Sequence, residues 1–100
     1  MENNYSTLQP HALAVEKYEL SVEYARLSEL QATYIKKRAE HFNANRGNFK
    51  SDKATERAFE ASEDGVAMEV NKVKLRTKEK RISAINSLLR LAENEAKNNF

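Results

Sequence analysis

The residues with most chemical potential are cations. Lys72, Lys74, Arg76, Lys78, Lys80 and Arg81 place six positive charges in ten residues, and Lys36, Lys37 and Arg38 form a second cluster. Such a density suits phosphate contacts, with Phe42, Phe49 or Tyr34 available to stack on unpaired bases. It also suits solvated helix flanks, in which the cations pair with Glu40, Glu69 and Glu79 and cover a core with their alkyl stems. Both readings stand at this level. Arg46 and Lys50 extend the basic set.

The remaining reactive groups form no constellation. His11 and His41 lie far apart, and Glu40-His41 lacks the i, i+3 or i, i+4 spacing of a metal-binding carboxylate–imidazole pair. Glu19/Glu23 and Glu56/Glu60 are spaced as exposed i, i+4 neighbours, with no apolar surround to raise a carboxyl pKa. There is no Gly-rich phosphate loop, no serine elbow and no thiol nucleophile. No catalytic residue, metal ligand or cofactor is expected, and the chain is not expected to be an enzyme.

The elements that carry these charges are helices. The chain of 100 residues has two Gly, one Pro and no Cys, a composition of long helices and few turns in one domain. Without Cys neither disulfide nor thiolate metal site exists, and no apolar run approaches the ~18 residues of a membrane span. Met-Glu-Asn-Asn-Tyr-Ser-Thr lacks the order of a signal peptide, so cytoplasmic residence is the expectation and no membrane partner is foreseen.

Met68, Leu75, Ile82, Leu89 and Ala96 recur every seven residues, widened by Ile85 and Ala92, and predict a helix over 66–96 with a core-facing seam. A second apolar row, Val66, Val70, Val73, Ala84, Leu88 and Leu91, falls on nearly the opposite side. Pro10 suits a first helical turn, capped by Ser6, Thr7 or a neighbour. From there Leu13, Leu20, Tyr24, Leu27, Tyr34 and Phe42 form one stripe, broadened by Leu30 and Ile35, and Val15, Tyr18, Val22 and Ala25 form a shorter second one. Asn43-Ala-Asn-Arg-Gly-Asn48 breaks the pattern, with Phe49 expected to pin the loop to the core. Ser51 or Asp52 then caps a helix beginning near Lys53, with Ala54, Ala58, Ala61 and Phe59 on one face. Glu63-Asp64-Gly65 either ends a short helix and starts the next, with Asp64 as the new cap, or lies inside one continuous helix; continuity with at most a kink at 63–65 is the preferred reading, since a lone Gly costs about 1 kcal/mol there.

The expected fold is therefore all-α: an antiparallel, coiled-coil-like helical hairpin over 10–97, turning at about 43–51, with a flexible 1–9 and a frayed 98–100. The hairpin would set Lys36, Lys37 and Arg38 beside the Lys72–Lys78 region. Arg46, Lys50, Lys53 and Arg57 would join them at a basic loop end. Glu16, Glu19, Glu23, Glu93 and Glu95 would lie at an acidic open end. Residues 1–35 carry a balance of −3, from two Lys and Arg against five Asp and Glu. Residues 36–81 carry +5, from thirteen against eight.

Doubled stripes on both long helices exceed what one hairpin interface covers. Self-association through Val15, Tyr18, Val22, Val66, Val70 and Val73 into a dimer or higher bundle is expected.

Several stretches resemble small all-helical accessory proteins from the early and recombination regions of bacteriophages. They are Tyr18-x-x-Ser21-x-x-Tyr24, Tyr34-Ile35-x-Lys37-Arg38, Ser51-x-x-x-Thr55-x-Arg57-x-Phe59-x-Ala61-Ser62, Lys72-x-Lys74-Leu75-Arg76-x-x-Glu79-Lys80 and Ala84-Ile85-x-x-Leu88-Leu89. The resemblance implies a phage-encoded accessory that handles DNA-processing proteins, or an inhibitor of a host defence nuclease or CRISPR-type system, working in the bacterial cytoplasm. Its alternatives are direct binding of single- or double-stranded nucleic acid through the basic end, using Lys36, Lys37, Arg38, Arg46, Lys50, Lys72, Lys74, Arg76, Lys78 and Arg81, and a purely structural oligomer.

Overall fold

Apolar residues at heptad spacing can leave water only by facing another such row, and that requirement organises the chain. The computed structural model describes residues 9–98, so the expectations for the two termini lie almost entirely outside it. The described residues form three helices, α1 (Pro10–Asn45), α2 (Asp52–Glu60) and α3 (Glu63–Asn98), and no strand. The fold is the expected all-α helical hairpin. No helix is long and apolar enough to cross a membrane among the described residues.

Contacts divide the chain into two units. The first comprises 1–25 and 76–100, where α1 and α3 run antiparallel, as Glu16 faces Arg81 and Glu23 faces Lys78. Leu13 and Ile85 are buried in it, with Leu20, Ile82, Leu88, Leu89 and Ala92 half-buried. The second unit is 26–75, again with α1 antiparallel to α3, as Leu27 faces Asn71 and Lys37 faces Asp64. Its core holds Leu27, Met68 and Phe59, with Leu75, Tyr34 and Phe42 half-buried.

The seam in the second unit is interrupted by polar residues that periodicity had passed over. Gln31 and Asn71 are buried at positions of the heptad pattern. Asn71 Nδ2 donates to Gln31 Oε1 and to the Leu27 carbonyl, each at 2.9 Å. Unpaired, such groups cost about 1–3 kcal/mol; paired, they fix which residues stand opposite one another.

Gly47 takes φ +90°, the left-handed conformation that ends α1, and Asn48 N donates to the Asn45 carbonyl at 2.9 Å. Ser51 caps α2 through its hydroxyl, which accepts from Ala54 N at 3.1 Å. Asp52 lies in the first turn beside the positive end of the helix. Thr55 and Phe59 are the buried residues of α2, while Ala61 is exposed. Phe49 is 41 % exposed and does not pin the loop: the turn is closed by its own backbone bonds, so no apolar anchor is required.

The stretch 52–97 is two helices rather than a continuous one. α2 ends as Ala61 N and Ser62 N donate to the Arg57 and Phe59 carbonyls. Ser62 then caps α3: its Oγ accepts from Gly65 N at 3.2 Å, while its hydroxyl donates to the Phe59 carbonyl. A Cβ at Gly65 would stand 2.0 Å from the Phe59 carbonyl oxygen and 2.8 Å from Glu60 Cα. The glycine is where the end of α2 passes directly over the first turn of α3, which no side chain permits.

Candidate interaction surfaces

The basic set separates into paired and unpaired members. In the first unit Arg81 meets Glu16 in a two-pronged contact, Nε to Oε1 at 2.7 Å and an Nη to Oε2 at 3.0 Å. The Arg81 hydrogen bond, with its charge, holds the Glu16 carboxyl below its ordinary range, and Glu16 in turn raises Arg81. Lys78, half-buried, lies 3.3 Å from Glu23. Tyr24 donates to Glu79 at 2.6 Å. Lys78 and Arg81 thus hold α1 to α3, and Glu16 and Glu23 face cations rather than forming an acidic end.

In the second unit Lys37 lies 3.6 Å from Asp64 and 5.9 Å from the centroid of the Tyr34 ring. Lys72 pairs with Glu69 one turn earlier at 3.1 Å. Lys36, Arg38, Arg46, Lys50 and Lys74 are exposed and make no ion pair among the described residues. Arg76, in the first unit, is likewise exposed without an ion pair there. The second unit carries ten Lys and Arg against eight Asp and Glu, a net of +2, and the first carries seven against seven. The +5 over 36–81 is therefore split: +2 stays in the second unit, and the +3 of residues 76–81 is offset by the acidic residues of the first.

The second apolar rows are exposed, except that Leu88 is half-buried. In the first unit Val15, Tyr18 and Val22 lie along one side of α1, with Tyr18 71 % exposed. In the second unit Val66, Val70 and Val73 are 54 %, 48 % and 58 % exposed along α3. Leu30 and Ile35, expected to broaden the buried stripe, are exposed as well.

A cleft of about 260 Å³ is lined by Ile35, Arg38, His41, Phe42, Thr55, Glu56 and Phe59, with neighbouring residues of α1. His41 stacks at a tilt on Phe59, ring centroids 5.4 Å apart. Asn45 Nδ2 approaches His41 Nδ1 at 3.3 Å and donates to its carbonyl at 2.9 Å. The His41 Nε2 is buried with no partner among the described residues. The i, i+4 pair Arg38 and Phe42 was the available signal, but it needed the position of Phe59 to become a site.

No group of three His, Cys, Asp or Glu is placed to hold a metal ion among the described residues. No family model, curated protein or solved structure matches this chain.

Proposed function

We propose that this chain is a non-catalytic interaction protein that works by laying exposed helix faces on another protein. In the reading its sequence resemblance suggests, it is a phage-type accessory or inhibitor of a DNA-processing or host-defence protein. The observation that carries the interaction reading is the balance of apolar side chains. Among the described residues ten large hydrophobics are exposed and five hydrophobics are buried. Single exposed apolar residues are ordinary, but rows of them at helical spacing are contact surfaces. Tyr18 adds an aromatic anchor of the kind that dominates protein interfaces. A photo-crosslinking residue in place of Tyr18 or Val22 should capture one bacterial protein from nuclease-treated lysate, and the same residue in place of Glu19 should not. Equal capture from both positions counts against the reading.

A second reading, direct nucleic-acid binding, draws on Lys36, Arg38, Arg46 and Lys50, exposed and without ion pairs among the described residues. Gel shift of single- and double-stranded DNA and RNA at two salt concentrations separates the two, because phosphate contacts weaken steeply with salt.

A further inference from the structure

We propose that the outer face of α3 in the second unit is the contact surface of a two-fold symmetric homodimer. α3 packs antiparallel on α3 of a second copy, with the axis passing between Glu69 and Val70.

The first support is the residue type. Val66, Val70 and Val73 fall within about 60° of one another on the helix, away from the buried Met68 and Asn71. Valine is a weaker helix former than Lys, Glu or Ala, so three at exposed helical positions serve neither the helix nor its hydration.

The second support is charge complementarity. Along this face the sign reverses midway: exposed Glu63 and Glu69 come first, exposed Lys72 and Lys74 after. A parallel copy would set like charges side by side. An antiparallel copy sets each acidic half on a basic half and also opposes the helix dipoles. With the axis between Glu69 and Val70, Val66 stands opposite Val73 and Val70 lies within one residue, about 1.5 Å along the helix, of its own copy. On one flank Glu63 falls within about one turn of Lys74, and on the other Glu69 and Lys72, paired with each other within each copy, come beside the same pair of the second copy. One register thus satisfies the valines and both charge flanks, as the self-complementary patch of a two-fold dimer must. Asp64 is not needed, being already engaged with Lys37. The two glutamates make the face a poor seat for phosphate.

Three valines per copy fall well short of a standard interface, so the dimer should form on the order of micromolar concentration. Sedimentation velocity of the full chain across that range should show monomer passing to dimer. The chain has no cysteine, which makes single introduced thiols unambiguous. Val70→Cys should cross-link to itself on mild oxidation. Val66→Cys should not, yet should link to Val73→Cys when the two are mixed. Val70→Glu should abolish the dimer while leaving the circular dichroism unchanged. Should that variant unfold, Glu63→Lys and Lys74→Glu decide instead, each alone weakening the dimer several-fold and the two together restoring it. A wild-type chain that stays monomeric at hundreds of micromolar, or Val66→Cys linking to itself as readily as Val70→Cys, overturns the proposal. So does a dimer indifferent to both Val70→Glu and the charge reversals.

Discussion

Asn71 and Gln31 are joined inside the second unit, side-chain amide to side-chain amide at 2.9 Å, where the heptad pattern calls for leucine. The pair is expected to behave asymmetrically. Asn71→Ala strands the Gln31 amide in the core and should cost about 1–3 kcal/mol in urea unfolding. Replacing both residues by Leu removes the polar requirement and should return stability to the wild-type level or above it. A double variant no more stable than the single one would show that packing, not the hydrogen bond, limits this site.

Core and surface apolar residues should separate cleanly. Met68 and Ile85 are 2 % and 0 % exposed, and truncating either to Ala should cost about 2–5 kcal/mol. Val66→Ala or Val73→Ala, measured by thermal melting at a concentration where the chain is monomeric, should stay within about 0.5 kcal/mol of wild type. Charge at the half-buried seam, as in Leu75→Asp or Ile82→Asp, should abolish the cooperative transition.

Gly65→Ala runs against helix propensity. In an open helix interior it should stabilise by about 1 kcal/mol. Here its Cβ meets the Phe59 carbonyl oxygen at 2.0 Å, so α2 must shift and the melting temperature should fall. A rise would show that α2 is free to move away.

The Glu16–Arg81 contact gives a directional pH test. Arg81 holds the Glu16 carboxyl below the ordinary carboxylate range, so its stabilisation is present above that range and is lost as pH falls through the lowered value. Thermal melts of wild type and Glu16→Gln at low salt should differ near neutrality and converge on acidification. The pair is open to solvent, so added salt should shrink the difference at every pH.

Reversing Lys36, Arg38, Arg46 and Lys50 to Glu should leave helicity and melting nearly unchanged, since exposed cations add about 0–1 kcal/mol each at most. If these residues meet phosphate, the slope of log affinity against log salt should flatten, by close to one unit per lost contact on duplex DNA. Reversal of Lys78 or Arg81 should instead lower the melting temperature, because each bridges α1 to α3.

Heptad spacing was enough to find the seam from Met68 through Leu89 and the turn at Gly47, because burial and positive φ each leave a residue-type signature. It was blind to Asn71 and Gln31, since a buried amide looks like a surface one until its partner 40 residues away is known. The helix break does leave a signal in the sequence, since Ser62 followed by Glu63 and Asp64 is a capping serine with an acidic first turn. Gly65 gave no such sign, because its necessity comes from the backbone of α2. Phe49 misled for the opposite reason, hydrophobicity being no guarantee of burial. Of the candidate surfaces, the apolar rows were legible as patterns, whereas the division of the cations into paired and unpaired depended on which carboxylates the fold brought opposite them.

The nine residues of α2 are too few to hold a helix on their own in water. Its amide protons are therefore protected from solvent exchange only while Thr55 and Phe59 stay seated. Both ends are fastened by serine hydroxyls rather than by continuous helix, so the segment can detach as a block without unwinding α1 or α3. Amide exchange over residues 52–60 should then report a sub-global opening of lower free energy than the seam's. Because Thr55, Glu56 and Phe59 also wall the cleft beside His41, each such opening would erase and rebuild that cleft.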